Sequence, residues 1–298
     1  MVGYMTASEA RNQLTDSLFS MGATLSHQAS DVLRVWTDQA GRLGFAYWQK
    51  ELPQTSGVDI PAHDKQRYVV NLSGTVYNLP SITQSLESQG IRFHRYVDND
   101  ILSAAIEAWG VEYTLQQLNG AFTMVIWDQE QGVLRLVRDR VGKHSLYYGW
   151  VKKSFLFSSE LKALRMYPDF QGEINRGALA LFLRHNYIPA PYSIYEGIFK
   201  LTPGSVLSLS TNSTSERTKL INYWSLRDIV ESGRSQPDIT PEGAVESCHH
   251  MLLNATETRV SNRTFGAFLS GGIDSSLVVA LAQSVSYRPI KTFTIGFR

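Results

Sequence analysis

Residues 266–278 read GAFLSGGIDSSLV, and the side chains at the centre of that stretch are of the kind that hold phosphate. Gly271 and Gly272 can expose consecutive backbone N–H groups, because glycine accepts positive φ and brings no Cβ. A helix opening near Asp274–Ser276 adds its own unpaired N–H groups and the positive end of its dipole. Ser270, Ser275 and Ser276 contribute hydroxyl donors. Asp274 beside phosphate is repulsive by itself, and becomes sensible if Mg²⁺ lies between the two. The stretch is neither G-x-x-x-x-G-K-S/T, since it has no lysine, nor G-x-G-x-x-G. A bare Ser-Gly-Gly reads as an ordinary strand-to-helix turn with serine caps. The whole FLSGGIDSS, between a strand and an amphipathic helix, reads as a pyrophosphate-binding loop.

Other residues capable of chemistry have plainer readings. Cys248 is the only cysteine, so the chain offers neither an intrachain disulfide nor a thiolate cluster, and it reads as a small buried residue. His249 and His250 share a helix with no third ligand nearby. Glu160 and Lys162 read as surface or interdomain charges, and Arg138, Arg140, Lys143 and Lys152 as a modest basic cluster. The aromatics of YWQ, LYYGW and SFLF read as core.

The elements that must position the loop follow from periodicity. RYVVNL (67–72) is a strand, with SGTVYN as a turn into the next element. DNDILSAAIEAWGV (98–111) is a helix capped by Asp98 or Asn99, with one face at 101, 102, 105, 106 and 109. GAFTMVIWD (120–128) and GVLRLVRD (132–139) form a hairpin. HSLYYGW and SFLFSS (154–159) add strands, so the first part reads as layered, largely antiparallel α+β. NRGALALFLRHNY (175–187) is an amphipathic helix that Pro189 and Pro191 close, and LTPGSVLSLS (201–210) gives a turn and strand. Residues 211–242 are polar and aperiodic, a linker. A helix then places Val245, Met251, Leu252 and Ala255 on one face, and strand, loop, helix and strand make a βαβ unit.

Composition excludes some function classes. The 28 basic and 27 acidic residues nearly cancel, which leaves no electrostatic footprint for nucleic acid or anionic membrane. No apolar run approaches the roughly 20 residues that span a bilayer. The N-terminus has no secretory pattern, so the expected location is cytoplasmic.

SGGIDSS resembles the pyrophosphatase-type loop of enzymes that split ATP into AMP and pyrophosphate. With KTFTIGF after it, the segment is similar to the synthetase domain of glutamine-dependent asparagine synthetases. LNGAFTMVIWD, RDRVGKHSLYYG, FSSELKAL, YIPAPYSIYEGIFKLTPG and YWSL follow the same family's order and spacing over more than 200 residues. The resemblance implies a class II glutamine amidotransferase-like domain over 1–210, an αββα sandwich of the N-terminal-nucleophile hydrolase type. The linker (211–242) follows, and then the first part of an α/β parallel-sheet ATP-binding domain over 243–298. It implies ATP and Mg²⁺, with adenine on the backbone near Phe268, Leu269 and Ile295. Ser270, Gly271, Gly272, Asp274, Ser275 and Ser276 would hold pyrophosphate, with Asp274 facing the metal. The implied substrates are a small carboxylate and an amine. A homodimer, or a separate chain supplying the rest of the synthetase portion, is the implied assembly.

The amidotransferase half departs from the family. Val2 stands where the family has its nucleophilic cysteine, so no catalytic residue is assigned there. Ser73-Gly74-Thr75 replaces Asn-Gly-Glu, HQASD (27–31) replaces His-Arg-Gly-Pro-Asp, and GFAYWQK replaces the segment that carries the carboxylate-clamping arginine. Gly74 and Asp98 remain as remnants of a glutamine site. The chain is therefore not expected to hydrolyse glutamine. Ending at Arg298, it reads as a fragment or a split form that does not complete adenylation by itself. Three readings stay open: an amide-forming ligase without glutaminase, a pseudoenzyme that binds nucleotide or a partner subunit, and a relative of β-lactam synthetases or lasso-peptide cyclases.

Overall fold

Alternation along the strands sorts the first part of the chain into layers. The computed structural model describes residues 1–6, 11–26, 31–50, 66–93, 97–211, 218–234, 239–260 and 265–296. Its contacts group into two units, Met1–Leu226 and Arg227–Arg298. In chain order the first comprises β1 (Val2–Met5), α1 (Arg11–Ala23), β2 (Asp31–Thr37), β3 (Leu43–Lys50), β4 (Tyr68–Val76), α2 (Leu79–Ser88), α3 (Asp98–Trp109), α4 (Val111–Gln117) and β5 (Gly120–Asp128). It continues with β6 (Val133–Arg138), β7 (Tyr147–Val151), β8 (Ser154–Ser158), α5 (Leu161–Leu164), α6 (Arg176–His185), β9 (Ile198–Lys200), β10 (Ser205–Ser210) and β11 (Lys219–Asn222).

Two antiparallel sheets result, in the orders β2-β3-β1-β8-β7-β9 and β11-β10-β6-β5-β4. Successive strand residues face opposite sides, so each sheet supplies two apolar faces. Phe45, Phe155 and Phe157 of the first sheet meet Val69, Val125, Trp127 and Leu136 of the second in one inter-sheet core. On the outer face of the first sheet, Val2, Tyr4 and Leu156 pack against Leu14, Leu18 and Met21 of α1 and Leu164 of α5. On the outer face of the second, Val70, Met124 and Ile126 pack against α2, α3 and α4. Three cores between four layers make the αββα sandwich that the resemblance implies.

Local detail corrects several expectations. SGTV is no turn: β4 runs through it to Val76, with Gly74 at φ +115° directly opposite Phe122. A Cβ at Gly74 would come within 2.3 Å of the Ala121 carbonyl oxygen, so the close strand approach selects glycine there. Neither Asp98 nor Asn99 caps α3. Its N-cap is Val97, and the Asn99 side chain instead accepts from the Leu72 N–H at 3.0 Å. Asp98 sits in the first turn, where its charge suits the helix dipole. Within the stretch read as aperiodic, Lys219–Asn222 form β11, because pairing with β10 supplies what periodicity did not. HQASD lies outside the described residues except for Asp31.

The second unit holds α7 (Leu226–Gly233, which begins one residue before it), α8 (Pro241–Glu257), β12 (Gly266–Phe268), α9 (Ile273–Ser284) and β13 (Lys291–Phe293). Strands β12 and β13 pair in parallel, Ala267 opposite Thr292, as a βαβ unit requires. The face of α8 read from the sequence stays largely open: Val245 and Met251 are 71% and 65% exposed. Cys248 is likewise exposed, which corrects its reading as buried. Helix α8 packs against α9, and its Leu252 and Leu253 are half-buried. No described helix is long and apolar enough to cross a membrane.

Candidate functional site

At one end of the inter-sheet core, apolar residues give way to polar ones and a cavity of about 480 Å³ opens. On β4 the face that carries Val69 continues with Asn71 and Ser73, and Ser73 stands opposite Thr123 of β5. All three line the cavity, together with Gly74. The first sheet contributes Met1 from the start of β1, Tyr47 and Trp48 from β3, and Ser159 and Glu160 from just after β8. The loop before β7 contributes His144 and Ser145.

The Arg138–Asp139 pair fixes that loop. The buried Arg138 guanidinium donates to the carbonyl oxygens of His144, Leu201 and Gly142, each at 2.6 Å. The Asp139 carboxylate accepts backbone N–H groups of Phe122, Val141, Lys143 and His144 at 3.1–3.3 Å. Burial pushes the Arg138 guanidinium below its usual range, with Asp139 and then Tyr147 opposing. The basic cluster read from sequence therefore has no shared target. Arg138 holds its own loop, Arg140 donates to the Gln116 carbonyl, and Lys152 pairs with Asp169.

Strand β1 starts at the cavity wall. The Met1 α-amino group donates to Ser159 Oγ at 3.1 Å, and the Met1 carbonyl accepts from the Ser159 N–H at 2.9 Å. Burial lowers the pKa of this amine to about 6, against the opposing charge of Glu160. Val2 does not line the cavity. Its side chain is fully buried in the outer core with Tyr4. Among the described lining residues there is no arginine or lysine, and Asp98 is not one of them. Of the two remnant positions, only Gly74 reaches the cavity.

Two lining groups are left without hydrogen bonds. Asn71 Oδ1 and Thr123 Oγ1 are buried and have no partner, and their residues are 2% and 0% exposed. Sequence reading missed both, as well as the place of Glu160, whose Oε2 pairs with Lys162 Nζ at 3.1 Å. A polar Asn71 after three apolar or aromatic residues, in a strand buried on both faces, was the available signal.

In the second unit the Ser270–Ser276 loop has the features of an anion cradle. Gly271 sits at φ +82°, and a Cβ there would meet nothing within 4 Å, so the glycine serves the backbone rather than packing. Gly272 is the N-cap of α9, which leaves the N–H groups of Ile273, Asp274 and Ser275 without acceptors inside the helix. Ser270 Oγ lies 3.0 Å from Ser275 Oγ, and the Ser275 and Ser276 hydroxyls reach the Gly272 carbonyl at 3.1 and 2.8 Å. Exposed N–H groups and hydroxyls at a helix N-terminus fit a pyrophosphate. Asp274 is the one carboxylate of the loop, which suits a Mg²⁺ shared with phosphate oxygens; among the described residues no cluster of three metal-ligating side chains occurs. Of the positions assigned to adenine, Phe268 and Ile295 are 78% and 75% exposed. The Leu269 backbone is engaged, its N–H by the Phe293 carbonyl and its C=O by Thr294 Oγ1.

Comparison with known proteins follows the same division. A model of the glutamine amidotransferase domain matches residues 1–224, and a model of asparagine synthase matches residues 248–298. A putative asparagine synthetase (glutamine-hydrolyzing) 2 of Methanocaldococcus jannaschii is 29% identical over 238 residues, which are 78% of this chain and 44% of that protein. Asparagine synthetase (glutamine-hydrolyzing) 3 of Bacillus subtilis is 26% identical over 306 residues, covering 100% of this chain and 48% of the relative. The chain thus spans just under half the length of these relatives. Glutamine phosphoribosylpyrophosphate amidotransferase of B. subtilis, solved with ADP and GMP, shares the fold. Its TM-score is 0.51 at 15% identity, over 98% of this chain and 65% of that one.

Proposed function

The chain belongs to the glutamine amidotransferase domain family, and from that premise we propose that it is part of an ATP-dependent, asparagine synthetase-like amide-forming ligase that does not hydrolyse glutamine. In this reading residues 1–210 are the amidotransferase-like domain and 243–298 begin the ATP-binding domain. The observation that carries the ligase reading is the strand–loop–helix at Ser270–Ser276, where Gly271 at φ +82° delivers the backbone to the N-terminus of α9. Ser270, Ser275, Ser276 and the N–H groups of the loop hold the pyrophosphate portion of ATP, and Asp274 faces its Mg²⁺. ATP supplies the adenylyl group that makes a carboxylate susceptible to attack by ammonia or an amine.

The loss of glutaminase is supported by Val2, which carries no nucleophilic atom and whose side chain belongs to the outer core. The reading is also supported by the cavity, where the described lining residues include no arginine or lysine to clamp the free carboxylate of glutamine. Calorimetric titration of the 298-residue chain with MgATP tests the first part. Saturable binding that Gly271→Val removes, with the first unit still folded, is the expected result; no binding overturns it. Glutamate release from glutamine by the same chain overturns the second.

A further inference from the structure

The outer face of the second sheet carries an inference that goes beyond the ligase reading and does not rest on it. Arg135 of β6 stands opposite Ile126 of β5, so its side chain rises on the face that α3 and α4 cover. There a cleft of about 570 Å³ opens between that face and the turn from α3 to α4. Two guanidiniums line it, Arg67 and Arg135, and they share one fully buried carboxylate, Asp128. Arg67 commits its Nε–Nη2 edge to Asp128, at 3.2 and 3.1 Å. Arg135 meets the same carboxylate only through Nη1, at 3.9 Å. Its own Nε–Nη2 edge has no acceptor among the described residues and keeps solvent access, although the side chain is only 18% exposed. A largely buried charge calls for a hydrogen-bonded counterion.

The walls add a second requirement. Trp109 and Tyr113 stand edge to face, 6.2 Å apart at 85°, and their rings form a corner. The Trp109 indole N–H already donates to Gln89 Oε1 at 3.0 Å, so Trp109 meets the cleft with its ring alone. We propose that this cleft binds a small aromatic carboxylate, which accepts two hydrogen bonds from Arg135 Nε and Nη2 and lays its ring against Trp109 and Tyr113. Side-on pairing of guanidinium and carboxylate is the geometry that Arg67 and Asp128 already show beside it. Aromatic walls favour a planar, apolar body on the same guest. Glu112 is the one carboxylate among the described lining residues. It is exposed on the first turn of α4, where solvent screens its charge, so it weakens such a guest without blocking it.

The test is calorimetric titration of the 298-residue chain at pH 7.5 and fixed ionic strength with phenylacetate, acetate or phenylacetamide. Acetate lacks the ring and phenylacetamide lacks the charge. Phenylacetate is expected to bind saturably, about tenfold or more tighter than either. Arg135→Met removes a guanidinium that has no hydrogen bond, so it should fold as the parent does and lose about tenfold or more in phenylacetate affinity. Tyr113→Ala changes an exposed ring, so it keeps the fold and should lose about threefold or more. Glu112→Gln should bind phenylacetate as tightly as the parent or tighter. The proposal is overturned by no saturable binding, by equal affinity for phenylacetamide, by unchanged affinity in Arg135→Met or Tyr113→Ala, or by weaker binding in Glu112→Gln. Titration of the same chain with MgATP reads the ligase proposal separately, so the two failures are distinguishable.

Discussion

The α-amino group of Met1 and the hydroxyl of Ser159 lie 3.1 Å apart in a hydrogen bond that ties the start of β1 to the end of β8 at the cavity wall. The amine is buried there, and desolvation is the larger influence on it, outweighing the attraction of Glu160. This placement has a consequence for stability.

With a folded pKa of about 6 against an ordinary value of 8.0, the unfolded chain binds more protons than the folded one between pH 6 and pH 8. Stability from this group is thus present above pH 8 and lost as pH falls through 8 toward 6. The change amounts to about 2–3 kcal/mol. Denaturant unfolding at pH 6, 7 and 8 measures it, with an Nα-acetylated chain as reference. If both chains give the same slope, the burial of the amine is wrong.

Val2→Cys is expected not to produce a glutaminase. The position 2 side chain points into the outer core, packed with Tyr4 and Leu156 rather than lining the cavity. The substitution should cost about 1 kcal/mol through lost packing. Glutamate formation by the variant would contradict this placement.

Arg138→Leu should destabilise the first unit by at least about 3 kcal/mol, because three backbone carbonyls lose a charged donor at once. Arg138→Lys should recover little of this, since an ammonium cannot reproduce the planar fork. The urea midpoints of the two variants decide the matter, and a lysine variant close to the parent would show that charge alone suffices.

Alanine at the two key glycines should act unequally. At Gly271 the added Cβ meets open space, so only the left-handed backbone is strained, at about 1–2 kcal/mol. At Gly74 the same strain is joined by a 2.3 Å approach to the Ala121 carbonyl oxygen, which forces β4 from β5. Gly74→Ala should lower the Tm of the first unit markedly, while Gly271→Ala leaves that transition in place and weakens MgATP binding. Equal effects on the first transition would refute the β4–β5 approach.

Several of these features could be read before any fold was known. The Ser270–Ser276 loop is local: strand, Gly-Gly and helix N-terminus lie within a dozen residues, so periodicity and glycine chemistry suffice to find it. The β5–β6 hairpin and the apolar face of α3 emerge for the same reason, as short-range patterns that match their elements. β1, β2 and β3 gave no comparable signal, because their strand character comes from pairing across the first sheet. β11 was hidden in polar sequence for that reason too.

By itself the sequence determined that position 2 carries no nucleophile and that Ser270–Ser276 brings two glycines and three hydroxyls together, because both depend on atoms a residue has or lacks. Tertiary structure alone decided what surrounds the first site. Met1, Asn71, Thr123 and Glu160 are far apart along the chain and meet only because the two sheets stack with Asn71 and Ser73 facing inward. It also decided that the Val2 side chain turns outward and that Arg138 is buried among carbonyls. Burial and strand register are properties of the packed layers, and no single segment encodes them.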